Sequence, residues 1–429
     1  MSEPKIVDLV FEGGGMKGVA FIGAIRALAT FGYRPGRLLG TSVGSLYAFL
    51  IAAGYSADEL FDQIIDSKTG ALRLTQHIRP VSHFENLEID ASATRRLLRE
   101  VDFHFIPNWL EDGVDTKIAY ALMHHPGLNN LFAFIEKGGT KDPEPFMKWL
   151  GELLEAKITL PPDTPPNALT LAQFHKINGC MLSLIAADVT NPTMLILNHI
   201  TAPDCPIVQA VRMATAVSPL FPPVVWKSEW GLYRRQQLTG DSIVDGGILS
   251  NFPIELFLSQ LPAVTDMMGT PDAKAEVLGL ILDEGIAVPG APKKATPKWQ
   301  LLMNDFPGLT LLGDLIRTAI EARDKRAIES AAENVVRLPT MGYQADAFDL
   351  SLVQLQPLIN AGYNSMVSHL EMLAAGAVGR TVSKSKSGHA DNAAMQIINV
   401  AGNLISVVQT IGEVSGSATG LSSGTIGEK

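Results

Sequence analysis

At 429 residues, with 46% hydrophobic and 18% charged residues and a mean hydropathy of +0.17, the chain carries enough apolar side chains for a large core, which excludes disorder over most of its length. A formal charge of −10 argues against nonspecific attraction to nucleic acid or to an anionic membrane, so any lipid contact has to be mainly hydrophobic. The two cysteines, Cys180 and Cys205, form no disulfide framework and fit a reducing, cytoplasmic compartment.

Met1 to Asp8 contains no apolar run behind a positive one, so Sec export is not expected, while export by a signal-less route stays open. Lys5 to Phe11 reads as a buried strand, Lys17 to Thr30 as a helix of small apolar residues, Arg37 to Leu39 as a short strand and Ser42 to Ala53 as a second apolar helix. A strand-turn-helix unit is thus used twice. The stretch from Ala71 to Leu169 loses this rhythm, carries scattered aromatics and closes on Pro161-Pro162-Asp163-Thr164-Pro165-Pro166, which reads as an inserted, mostly helical cap. Strand signals resume at Cys180 to Ala187, Thr193 to Leu197, Ile243-Val244 and Val277 to Leu282. Ile286 to Lys298 reads as a loop, Trp299 to about Glu333 as a helix, Val335 to Leu338 as a strand and Ser351 to Ala375 as a long helix.

The expected organisation is therefore an α/β domain over residues 5–375 with a cap at about 71–169, followed by residues 378–429 as linker, amphipathic helix and flexible tail. No run approaches the roughly 20 apolar residues of a membrane-spanning helix. The nearest, Met395 to Ile411, is broken by Gln396, Asn399, Asn403, Ser406 and Gln409; its apolar stripe from Ile397 to Ile411 suits packing on the protein itself, on a second subunit or on lipid.

Two glycine-rich turns stand where apolar runs give way to helices. Gly13-Gly14-Gly15-Met16-Lys17-Gly18 can present a row of backbone N–H groups to an anion, and Gly40-Thr41-Ser42-Val43-Gly44 can hold a serine hydroxyl at a tight strand-to-helix elbow and a helix N-terminus. Gly13, Gly15 and Gly18 also fit a dinucleotide-binding turn, but no Asp or Glu lies between Gly18 and Asp58 to hold a ribose. Lys17 is followed by glycine, which breaks a P-loop. Together the turns point to acyl transfer, against the plainer readings of a structural glycine turn and a serine N-cap.

A serine nucleophile needs a base. Asp245, in Ser242-Ile243-Val244-Asp245-Gly246-Gly247, ends an apolar strand and either serves as that base or forms an Asx turn. A histidine base in the order Ser, Asp, His has only His369 and His389 to draw on, one on a predicted helix and one in a Ser/Lys-rich linker. The adjacent His124-His125 cannot share a helical face, and no metal-binding spacing occurs.

These residues resemble the patatin-like phospholipases. The likeness rests on Phe11-Glu12-Gly13-Gly14-Gly15-Met16-Lys17-Gly18 as the oxyanion turn, Gly40-Thr41-Ser42-Val43-Gly44 as the nucleophile elbow and Asp245-Gly246-Gly247 as the aspartate turn. Softer likenesses are Ala187-Asp188-Val189-Thr190, Ala210 to Thr215, Leu220-Phe221-Pro222-Pro223 and Asn251-Phe252-Pro253. Val43 stands where alanine is common and Thr215 where serine is usual. The resemblance implies a three-layer α/β/α sandwich with a mainly parallel central sheet. It also implies a Ser42/Asp245 dyad without histidine, with Gly13, Gly14, Gly15, Lys17 and Val43 as the oxyanion hole and Gly18, Gly40, Gly44, Gly246 and Gly247 as motif supports. Lys17 would assist that turn or bind lipid phosphate, or else be a plain exposed lysine. The implied activity is phospholipase A-type hydrolysis of acyl lipids at membrane surfaces, without metal or cofactor and with a homo-oligomer or activator left open. A soluble carboxylesterase and a non-catalytic lipid-binding protein are the alternatives.

Overall fold

The computed structural model describes residues 4–66, 68–81, 92–94, 96, 117, 129–292 and 307–376. The expected tail, with its stripe from Ile397 to Ile411, lies outside the described residues, as do His124, His125, His389 and much of the stretch from 82 to 128.

Strands β1 (Lys5–Phe11), β2 (Tyr33–Thr41), β5 (Leu182–Asp188), β6 (Thr193–Leu197), β7 (Val224–Val225), β8 (Ser242–Asp245), β9 (Glu276–Ala287) and β10 (Val335–Met341) form one sheet, while β3 (Arg79–Pro80) and β4 (Lys141–Asp142) pair only with each other. The order is β10-β9-β1-β2-β5-β8-β7, with β6 also on β5. The block from β10 to β5 is parallel; β6, β7 and β8 add antiparallel pairs at the other side.

Side-chain alternation along the strands builds three layers. Leu9 and Phe11, Leu38, Leu184 and Ala186, and Leu278, Leu280 and Leu282 enter one core, while Val10, Leu39, Ile185 and Ala187, and Ile281 enter another. Such period-two partition over near-continuous apolar strands is what a sheet covered on both faces requires. The first core holds helices α1 (Ala20–Thr30) and α2 (Val43–Ala52) together with Leu352–Ala374; the second holds Phe252 to Leu258, Val264 and Ala327. A Cβ on Gly23 would lie 1.9 Å from the Ile359 carbonyl oxygen and one on Gly362 2.1 Å from that of Ala20, so two glycines let α1 and the 352–374 helix touch backbone to backbone. The latter helix starts on a capping box between Ser351 and Gln354.

Several elements differ in extent from the sequence expectation. Strand β2 runs from Tyr33, not Arg37: Arg34 and Pro35 pair with Ile6 and Val7, and the register shifts before Leu9. Asp8 causes this. Its Oδ1 accepts the Arg37 N–H and its Oδ2 accepts Arg37 Nε, both at 2.7 Å, beside a Gly36 that has no side chain to collide with it. Lys17 belongs to a 3-10 turn, Gly15–Val19, that precedes α1. Within 71–169, the described helix Glu144–Glu155 sinks Phe146, Trp149, Leu150, Leu153 and Leu154 into the first core, and Tyr55 Oη donates to the Leu153 carbonyl at 2.9 Å.

Candidate active site

The register along β5 brings the two chemical turns together. Strand β2 pairs with Leu182 to Ile185, and β8 pairs with Ala186 to Asp188. Strand β6 covers Leu184 to Asp188 from the other edge, so β2 and β8 must share one edge of β5. They run in opposite directions there, Thr41 ending opposite Ile185 and Asp245 ending opposite Ala186. Their carboxyl ends therefore meet head-on, one register step apart.

Ser42 occupies the turn between β2 and α2 with φ 54° and ψ −128°, a conformation that costs a residue with a side chain energy and that suits a nucleophile elbow. The elbow is tight. A Cβ on Gly44 would lie 2.4 Å from the Phe11 carbonyl oxygen, and one on Gly40 2.4 Å from that of Gly44. Ser42 is 9% exposed, less open than an elbow pushed into solvent, and Gly13 lies against it: a Cβ on Gly13 would meet Ser42 Cβ at 3.1 Å and Asn251 Oδ1 at 2.7 Å. Val43 turns its methyl groups onto Gly18, within 3.1 Å of where a side chain there would begin, and Gly18 so makes room for the bulkier residue.

Asp245 is 6% exposed. Its Oδ1 accepts the Gly247 N–H at 2.7 Å, and its Oδ2 is buried without a hydrogen bond of normal geometry. Burial raises its pKa from 3.8 to about 7, against the lowering effects of the Gly247 N–H and the Ser42 hydroxyl. Among the described residues no histidine acts on it. His369 sits against β10, three strands from β2, with Nε2 unpartnered.

In the first turn the Gly13 N–H donates to the Asn251 carbonyl at 3.1 Å and the Met16 N–H to that of Ala345 at 2.8 Å. The Gly14 and Gly15 N–H groups lie between these two anchors. Gly15 has φ 58°, and a Cβ on it would lie 2.2 Å from the Ala345 oxygen. Lys17 is buried rather than exposed and pairs with the carboxylate of Glu284. Glu12 is half-buried; desolvation of its carboxyl raises its pKa to about 8, and its Oε2 accepts the Leu282 N–H, tying the turn to β9. Beside the Asp245 turn Val217 and Ile248 are exposed, Ile248 following the turn and Val217 following the Ala216 carbonyl that accepts the Asp245 N–H. Thr215 caps its own helix, donating to the Val211 carbonyl at 2.8 Å.

Among the described residues no cluster of three or more His, Cys, Asp or Glu is arranged for a metal ion, and both cysteines are free.

A family model described as patatin-like phospholipase matches residues 9–258, more than half of the chain. The chain belongs to the patatin-like phospholipase family. It is 29% identical over 363 residues to "Uncharacterized protein YqhO" of Bacillus subtilis (strain 168), covering 83% of this chain and 95% of the relative. It is 21% identical over 248 residues to "Probable lipid hydrolase 463L" of Invertebrate iridescent virus 6, covering 58% and 62%. Among solved structures it is similar to VipD from Legionella pneumophila, with a TM-score of 0.43 and 16% identity over 86% of this chain and 67% of that one. A similarity to the type III effector protein ExoU has a TM-score of 0.36 and 15% identity over 99% and 67%. This patatin-like chain also uses residues the sequence reading did not single out. Asn251 appeared only as a soft likeness, while Ser250, Arg323 and Asp324, which hold the segment after the Asp245 turn, gave no signal at all.

Proposed function

We propose that this patatin-like protein is a lipid acyl hydrolase of phospholipase A type, with Ser42 as nucleophile and Asp245 as base, acting as a peripheral enzyme on cytoplasmic membrane surfaces. The observation that carries the reading is the head-on meeting of β2 and β8 along β5, which brings a strained serine to a buried, otherwise unpartnered carboxylate oxygen. A carboxylate with a pKa near neutrality is a competent base for a hydroxyl, whereas one at 3.9 is not. Asp245 takes the Ser42 proton as Oγ attacks the ester carbonyl. The N–H groups of Gly14, Gly15 and Val43 receive the oxyanion, each such donor supporting about 10²–10³ in rate. The leaving alcohol takes its proton from Asp245, and water then releases the fatty acid with Asp245 again as base. Lys17, neutralised by Glu284, supports the turn from within. The exposed apolar residues Val217 and Ile248 beside the Asp245 turn suit an acyl-lipid substrate over a small polar one.

The deciding experiment compares wild type with Ser42→Ala on phospholipid vesicles by lipidomics, alongside fluorophosphonate labelling. Free fatty acid released by wild type only, with labelling lost in Ser42→Ala, is expected. Turnover of monomeric but not vesicular esters would instead make it a soluble esterase, and absence of both labelling and turnover a non-catalytic lipid binder.

A further inference from the structure

The segment 249–251, just past the Asp245 turn, is held by two adjacent residues of the helix Pro307–Ser330. Asp324 is 6% exposed; Ser250 Oγ donates to its Oδ1 at 2.7 Å and the Asn251 N–H to its Oδ2 at 2.8 Å. Arg323 Nη1 donates to the Leu249 carbonyl at 2.5 Å. Glu255, buried on the same side, attracts Arg323 without a direct hydrogen bond, since its Oε2 and Arg323 Nη2 both lack partners. Three consecutive residues of a loop are thus gripped by one helical pair.

Asn251 makes the grip consequential. Its carbonyl accepts the Gly13 N–H at 3.1 Å, and its Oδ1 sits where a Cβ on Gly13 would lie 2.7 Å away and one on Gly247 2.5 Å away. One residue is therefore wedged between the oxyanion turn and the aspartate turn, touching both, and its main chain is fixed by Asp324. Buried ion-supported hydrogen bonds of this kind fix geometry more dependably than they add stability.

We propose that Arg323 and Asp324, outside the segment matched by the family model, are positioning residues that act through Ser250 and Asn251 to hold the Gly13–Gly15 turn and the Asp245 turn in register around Ser42. The kinetic part rests on the hydrolase reading above; the structural part does not. A displacement of about 1 Å at a reacting centre costs on the order of 10²-fold in rate, so the effect belongs in turnover rather than in substrate binding.

The test uses the full-length protein with Asp324→Ala, Asp324→Asn, Ser250→Ala and, as a control on the exposed side of the same helix, Lys325→Ala. Asp324→Ala is expected to lower kcat and the fluorophosphonate labelling rate together by about 10- to 100-fold with KM within about twofold. Asp324→Asn, which keeps one accepting oxygen, recovers part of the loss. Ser250→Ala loses about 3- to 10-fold without stranding a charge, and so serves if Asp324→Ala does not fold. Independently of activity, amide exchange at Gly13, Gly247 and Asn251 rises in Asp324→Ala and Ser250→Ala relative to Lys325→Ala. Unchanged exchange at these amides, or a loss of rate that only follows the folded fraction, overturns the proposal. An inactive wild type with the exchange pattern intact overturns the hydrolase reading alone.

Discussion

Asp245→Asn should make the protein more stable, and by an amount that depends on pH. In the folded chain burial holds the Asp245 carboxyl at about 7 rather than 3.8, which corresponds to about 4 kcal/mol against ionisation. A raised carboxyl binds its proton more tightly when folded. Below pH 4 the folded and unfolded chains both carry that proton, and no penalty exists. Between about 4 and 7 only the unfolded chain releases it, so stability falls with rising pH, and above 7 the full penalty is present. Asparagine keeps an oxygen for the Gly247 N–H and carries no charge. Local relaxation lets water reach the ion, so the gain at pH 8.5 is expected at ~2–4 kcal/mol, shrinking toward zero at pH 4. Glu12 and Glu255, both raised to about 8 by burial, titrate in either protein and cancel in the difference. Urea unfolding of wild type and variant across pH 4–8.5 reads the difference directly. A constant offset, or a gain largest at low pH, would refute a desolvated carboxylate at this position.

The same carboxyl should give kcat/KM an acid limb near pH 7, activity rising as Asp245 ionises; a flat profile from pH 5 to 8 counts against it as base. Gly13→Ala would set a Cβ 2.7 Å from Asn251 Oδ1, and kcat is expected to fall at least about 100-fold with the protein still folded by circular dichroism. Arg37→Met strands Asp8, which is 1% exposed, and is expected to cost about 3–5 kcal/mol in chemical unfolding while turnover per folded molecule stays unchanged. Gly23→Ala, with its Cβ 1.9 Å from the Ile359 oxygen, should cost at least ~2 kcal/mol by separating α1 from the 352–374 helix.

The chemistry was most legible where it is most local. Glycines flanking Ser42 and Asp245 mark turns because the backbone there comes too close to its neighbours for any side chain, and that constraint is written in adjacent residues. Strand limits were less legible. Arg34-Pro35-Gly36 looks like a turn, yet Pro35 lies in β2, and the bulge there answers to Asp8 on another strand. Strand β9 continues through Asp283, Glu284 and Gly285 to Ala287, where apolar alternation stops because its residues leave the covered part of the sheet. Arg323 and Asp324 were invisible for a related reason: amid Glu321, Lys325 and Arg326 they look like a solvated helical face, and only the tertiary fold shows which two charges turn inward. The shared edge of β5 is a long-range pairing of three strands, which no local pattern encodes.

That shared edge also bears on when the proposed chemistry can begin. Ser42 and its elbow can fold with β1, β2 and α2 early in synthesis, whereas Asp245 arrives only after β5 has joined β2 and β8 has come back against its remaining half. A nascent or truncated chain ending before β8 carries Ser42 but lacks Asp245. On the proposed mechanism a lipid-degrading activity is thereby withheld until the sheet has closed on both sides of its catalytic strand ends, and a cut between α2 and β5 would yield two halves whose reassembly could be followed by the return of hydrolysis.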